Sequence, residues 1–139
     1  MNGPADPLAR TLRPAGWPRP SGYSDGVTAS GRLIVLAGQI GWNPATAVFE
    51  SDDLTTQVRQ ALHNIVTLLA EAGAEPRHLV RLTWFITDRA EYIEARRAIG
   101  IAYRNVIGAH YPPMSVVIVN GLIEDRAKVE IEATAVVPA

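Results

Sequence analysis

The stretch "DLTTQVRQALHNIVTLLAEAGAEPRHLVRLTWFITD", residues 53–88, changes its hydrophobic period partway along. Leu54, Val58, Ala61, Leu62, Ile65, Leu68, Leu69 and Ala72 recur at helical spacing, so one face of a helix is apolar. Asp53 is placed to cap the first turn, Gly73 suits the position just past the last, and Pro76 prevents continuation. From His78 to Asp88 the pattern becomes β-branched, aromatic and alternating. Val80, Leu82, Trp84 and Ile86 fall on one face of this strand, with Arg81, Thr83, Phe85 and Thr87 on the other.

Working outward, Tyr92, Ala95, Ile99, Ala102, Tyr103 and Val106 predict a second helix over about 90–107, ended by Gly108. Two strands follow, at about 114–122 and 128–137. Upstream, "GVTAS" (26–30) and "RLIVLAGQIGW" (32–42) read as two strands joined by a tight hairpin turn at Ser30-Gly31. The order ββαβαββ predicts an α+β domain whose two helices cover one face of a sheet. Several strands are apolar on both sides, so the other face is expected to be buried by self-association. The expected assembly is a closed symmetric homo-oligomer with clefts between subunits. Residues 1–22 hold five of the chain's ten prolines and read as an extended arm, mobile at its start, ahead of a single domain at 23–139.

Composition narrows the function. The 139 residues carry 13 basic and 14 acidic side chains, leaving no global positive field for nucleic acid. The absence of cysteine excludes disulfides, thiolate metal sites and a cysteine nucleophile. The amino terminus has no apolar signal core and no run of about 18 apolar residues occurs, so a cytoplasmic protein without a membrane partner is expected.

His63, His78 and His110 are too far apart in sequence for a metal motif, and no metal is expected. No Gly-x-Ser-x-Gly elbow exists, and Ser115 follows two prolines at a strand start. Without a Gly-x-Gly-x-x-Gly turn no dinucleotide cofactor is expected, and Gly38 reads as a point of close backbone approach. Trp42 and Trp84 fit either core packing or a pocket wall. Arg81 fits either an ion pair or a substrate anchor. In "KVEIEATAVVP", Glu130 belongs to a solvated acidic face or is a carboxylate held on a rigid strand to position water.

Five segments in register, "LAGQIGWNP", "QVRQALHNIVTLLAEAGA", "VRLTWFITD", "YPPMSVV" and "VEIEATAVV", resemble the RidA (YjgF, L-PSP endoribonuclease-like) family from Tyr23 onward. The resemblance implies a chorismate-mutase-like ββαβαββ fold with a mixed sheet. It also implies a homotrimer in which three sheets form a central barrel and small-molecule clefts lie at the subunit interfaces. Typical members hydrolyse reactive enamines or imines without a cofactor. Carried onto this chain, the cleft tyrosine is Tyr23, the substrate-loop glycine is Gly38 preceded by Ala37, the water-orienting glutamate is Glu130, and the substrate-binding main-chain amide is at Val116.

The family's substrate arginine does not carry over, because its Pro-x-Arg-Ser is Pro112-Pro113-Met114-Ser115 here. A thioether cannot replace a bidentate charge-assisted contact with a carboxylate. The second helix is also longer than in the family, and a common asparagine becomes Gly100. A hydrolase acting on something other than the usual 2-imino acids is therefore expected, with Met114 as an adaptable apolar wall. The alternatives are a non-catalytic ligand-binding or regulatory trimer and an endoribonuclease or translation inhibitor. Arg81, Arg126 and the arm are the candidate sources of a replacement cation.

Overall fold

The computed structural model describes residues 9–139, so the mobility expected of the first few residues concerns positions outside that range. In chain order the elements are β1 (Ala9–Leu12), β2 (Gly26–Ala29), β3 (Arg32–Ile40), α1 (Leu54–Glu71), β4 (Leu79–Ile86), α2 (Arg89–Val106), β5 (Met114–Ile118) and β6 (Val129–Val137).

Helix α1 forms as its spacing predicts. The Thr56 amide donates to the Asp53 carboxylate at 2.9 Å, and Gly73 takes φ 72° so that the Ala74 amide reaches the Leu69 carbonyl at 2.8 Å. Asp88 caps α2 in the same way, accepting from the Glu91 amide at 2.9 Å. Both helices pack on one face of a mixed four-stranded sheet of order β3-β6-β4-β5, in which only β4 and β5 run parallel. Leu62 and Ile65 of α1, Leu82 and Ile86 of β4, and Val129 and Ile131 of β6 are fully buried between the layers.

Buried polar side chains fasten the loops to this core. Gln57 donates to the Ser51 and Arg126 carbonyls at 3.0 Å each and accepts from the Lys128 amide at 2.8 Å. Asn64 donates to the Ile40 and Trp42 carbonyls. Gly41 lets β3 end against α1, since a Cβ there would lie 2.4 Å from Cβ of Gln57. With every one of their buried polar groups paired, these two side chains hold the β3–α1 and β5–β6 connections in one geometry.

Two local expectations are corrected. The strands at 26–29 and 32–40 do not form a hairpin: β2 pairs antiparallel with β1, and β3 pairs with β6. Gly31 is needed for a different reason, namely φ 146° and a Val137 carbonyl oxygen that an added Cβ would meet at 2.1 Å. Within the proline-rich segment, Ala9–Leu12 is an extended strand that partners β2. In β4, a register shift between Leu79 and Arg81 places Leu79 on the buried face, where simple alternation puts Val80.

The second sheet face carries no helix. Leu33 and Val35 of β3 stand on it 63% and 69% exposed at one edge of the sheet, and Val117 of β5 lies on it at the other.

Candidate functional site

The predicted site residues form two groups. The first is built at a bulge in β3. Pairing with β6 shifts register between Leu36 and Gln39, so Ala37 and Gly38 loop out of the ladder. A Cβ on Gly38 would lie 2.7 Å from both Cγ and Cδ of Glu130 and 3.0 Å from its Oε1. Glycine is therefore what lets the Glu130 carboxylate lie along the bulged backbone. The Gln39 amide folds back to donate to the Ala37 carbonyl at 3.2 Å. Glu130 is half-buried and sits in β6 between Ile40 and Phe85, flanked by paired strands on both sides.

The second group surrounds a cavity of about 940 Å³ between β5, α2 and the segment from Arg19 to Tyr23. Met114 and Val116 supply the β5 wall and Tyr23 the opposite rim. The segment is pinned to the sheet edge by a bridge between Ser24 and Pro113 and by the Ser24 hydroxyl, which donates to the Tyr111 carbonyl. Helix α2 contributes Tyr92, Arg96, Ile99, Gly100 and Tyr103, whose spacing puts them on one stripe of the helix.

Aromatic rings dominate this cleft. Tyr103 and Tyr111 stack with centroids 5.4 Å apart and planes 18° off parallel, and Trp84 lies 6.3 Å from Tyr103. The Tyr103 hydroxyl donates to the His110 carbonyl at 2.6 Å. Burial, reinforced by Tyr111, pushes its pKa well above the ordinary phenol range, so Tyr103 stays protonated and is not a base. Burial also raises the Tyr92 hydroxyl, against the opposing pull of the nearby Arg96 charge.

The two groups lie on opposite faces of the sheet. Met114 and Val116 register with Leu82 and Trp84 on the helix-bearing side, whereas Glu130 registers with Phe85 on the open side. Within one chain, then, Tyr23, Met114 and Val116 are brought together, as are Ala37, Gly38 and Glu130, but the two sets are not joined.

Neither expected arginine stands beside Met114. Arg126 is held by Asp52 at 2.9 Å and by the Phe49 carbonyl at 3.0 Å, and it covers the Phe49 ring. Arg81 is exposed on the open face without an ion pair among the described residues. The cations that border the cleft are Arg19 and Arg96. Sequence reasoning missed Arg96, and its signal was the helical interval linking it to Tyr92, Gly100 and Tyr103.

The histidines have structural or surface positions. His78 accepts from the Glu75 amide at 2.9 Å, His110 Nε2 lies 2.8 Å from the Leu79 carbonyl, and His63 is exposed. Among the described residues no group of three or more His, Asp or Glu side chains converges on a metal position. No helix among them is long and apolar enough to cross a membrane.

Comparison with known proteins agrees with this architecture. The family model for Endoribonuclease L-PSP matches residues 18–137. The chain is 34% identical over 114 residues to the 2-iminobutanoate/2-iminopropanoate deaminase of Escherichia coli, covering 82% of this chain and 86% of that one. It is 32% identical over 115 residues to Protein DfrA of Myxococcus xanthus, covering 82% and 84%. Among solved structures, the Rid-family protein YyfB of Yersinia pestis superposes with a TM-score of 0.82 at 32% identity, over 94% of this chain and 99% of that one. With the family model spanning the sheet, both helices and both halves of the cleft, the chain belongs to the Endoribonuclease L-PSP (RidA/YjgF) family.

Proposed function

We propose that this protein is a cofactor-independent hydrolase of a C=N bond, acting on a small-molecule imine or enamine other than the usual 2-imino acids. The observation that carries the proposal is the packing of Glu130 against Gly38, which fixes a carboxylate on a rigid strand. In the reaction, water adds to the imine carbon as Glu130 accepts its proton, and the proton passes to nitrogen. Collapse of the carbinolamine then expels ammonia and leaves a carbonyl compound. Tyr23 and the Val116 main chain orient the substrate, as the family resemblance implies.

The split of the site across the sheet supports a homotrimer. Glu130 of one copy and the Tyr23–Met114–Val116 cleft of another would meet if the open face, with its exposed Leu33 and Val35, packs against neighbouring copies. The E. coli relative is named a 2-iminobutanoate/2-iminopropanoate deaminase, and that name supports imine hydrolysis as the reaction class. Replacing a buried carboxylate-binding arginine by Met114 removes about 2–5 kcal/mol of binding for such acids, roughly 30-fold or more.

The test uses 2-iminobutanoate generated in situ. Slow hydrolysis by the wild type, faster hydrolysis by Met114→Arg, and loss in Met114→Arg/Glu130→Gln are expected. Wild-type activity equal to that of the E. coli deaminase would refute the role given to Met114. Survival of activity without the Glu130 carboxylate would refute the hydrolase mechanism.

Met114 also favours a second possibility, a non-catalytic ligand-binding trimer; a Met114→Arg protein that binds 2-oxobutanoate but hydrolyses no imine would establish it. An endoribonuclease role, suggested by the family's name, is opposed by the balanced charge. RNA cleavage that copurifies with the protein and disappears in Glu130→Ala would reverse this order.

A further inference from the structure

We infer that the cleft between β5 and α2 takes an aromatic carboxylate, with its ring against Trp84, Tyr103 and Tyr111 and its acid group held by Arg96 of α2. This rests on the assignment of that cleft as the substrate site, and it specifies the substrate class.

Four independent features converge on such a ligand. The first is size: about 940 Å³ lies at the upper end of small-molecule sites, and a four-carbon imino acid would leave most of it to water. The second is the chemistry of the wall. Trp84 lines the cleft beside the stacked rings of Tyr103 and Tyr111. Such a cluster takes a further ring in offset-stacked or edge-to-face contact.

Gly100 supplies the third feature. It sits inside α2, where glycine lowers helix stability, and no atom lies within 4 Å of the position its Cβ would take. Packing therefore does not require glycine there; what glycine preserves is open volume, one turn beyond Arg96 on the cleft stripe. The fourth is the cation itself. Arg96 makes no ion pair with the acidic side chains of the described residues, although Tyr92 lies close enough for its hydroxyl to sense the guanidinium charge. A free guanidinium at the rim of an aromatic cleft recognises a carboxylate bidentately, which is the contact Met114 cannot make.

The experiment is calorimetric titration of the full chain with 3-phenylpropanoate, its neutral amide 3-phenylpropanamide, and butanoate. Wild type should bind 3-phenylpropanoate at least about tenfold more tightly than butanoate. Arg96→Gln should weaken the acid about tenfold or more while leaving the amide unchanged. Gly100→Leu should abolish binding of both aromatic compounds without lowering the melting temperature, because its side chain enters open space. In a 1H–15N spectrum the chain has three indole N–H signals, and the Trp84 signal, assigned with Trp84→Phe, should move on adding the acid.

Equal affinity for butanoate and 3-phenylpropanoate, or unchanged affinity in Arg96→Gln or Gly100→Leu, would overturn the inference. Failure here and failure of the hydrolase proposal are separable. Imine hydrolysis that depends on Glu130 without aromatic-acid binding overturns only the ligand class. Aromatic-acid binding with hydrolysis indifferent to Glu130→Gln overturns only the mechanism.

Discussion

Replacing Gly38 by alanine tests the geometry at the bulge most directly. The new Cβ would lie 2.7 Å from Cγ and Cδ of Glu130, about 0.7 Å short of the 3.4 Å at which ordinary contact begins. Cγ is one bond from Cβ and Cδ is the carboxyl carbon itself, and β6 is held by β3 on one side and β4 on the other, so the carboxylate must swing aside. Displacement of a positioned group by about 1 Å costs on the order of 100-fold in rate, which sets the expected loss at roughly tenfold to 100-fold. Folding should lose about 1–3 kcal/mol to overpacking, partly offset by the restriction alanine places on the unfolded chain. The assay compares initial rates of 2-iminobutanoate hydrolysis by Met114→Arg and Met114→Arg/Gly38→Ala, with a urea unfolding curve for each. Equal rates from two equally stable proteins would show that the glycine does not position the carboxylate.

Gly31→Ala places a Cβ 2.1 Å from the Val137 carbonyl oxygen at φ 146°, so both contacting atoms belong to backbone that cannot rotate away. A loss of about 3 kcal/mol or more is expected in urea unfolding, and an unchanged midpoint would contradict the β3–β6 register. Asp53→Ala removes the α1 cap and should cost about 1 kcal/mol at neutral pH. The Thr56 hydroxyl, then the Thr56 amide, hold the Asp53 carboxyl below its ordinary pKa. Its contribution is therefore present above the unfolded value and lost as pH falls through the lower folded one, so the gap between wild type and Asp53→Ala in stability measurements should close in acid. Val35→Glu puts a charge at a 69%-exposed position on the open sheet face; if the proposed trimer forms through that face, sedimentation should show wild type as trimer and the variant as monomer, and equal sedimentation of the two would refute that packing.

What could be read from sequence was whatever one element specifies by itself. Helix α1 was legible because its cap, apolar stripe and Gly73 terminus all lie within residues 53–73. The hairpin failed because a strand's partner is not a local property. Ser30-Gly31 has the residues of a tight turn, but Gly31 serves the junction of β3 with β6, more than a hundred residues later in the chain. Leu79 was misplaced for a related reason: a bulge shifts the alternation by one residue, and nothing in the side chains of Leu79, Val80 or Arg81 announces it.

The site divides along the same line. Gly38 was legible as a close approach because a glycine inside a strand has few other reasons, and Glu130 proved to be what it approaches. Arg96 was not, because Tyr92, Ile99 and Tyr103 have the spacing of an ordinary buried helix face, and only the third dimension shows that this face borders a cavity instead of filling one. That difference bears on Met114. Of the arginines the sequence offered as cleft cations, Arg81 lies on the opposite face from Met114 and Arg126 is tied to Asp52. Within the chain, the cations that border the cleft are Arg96 of α2 and Arg19 of the segment that roofs it. An anchor on α2 stands across the cleft from β5, so a ligand held there spans the aromatic wall, which a short imino acid bound at β5 would not reach.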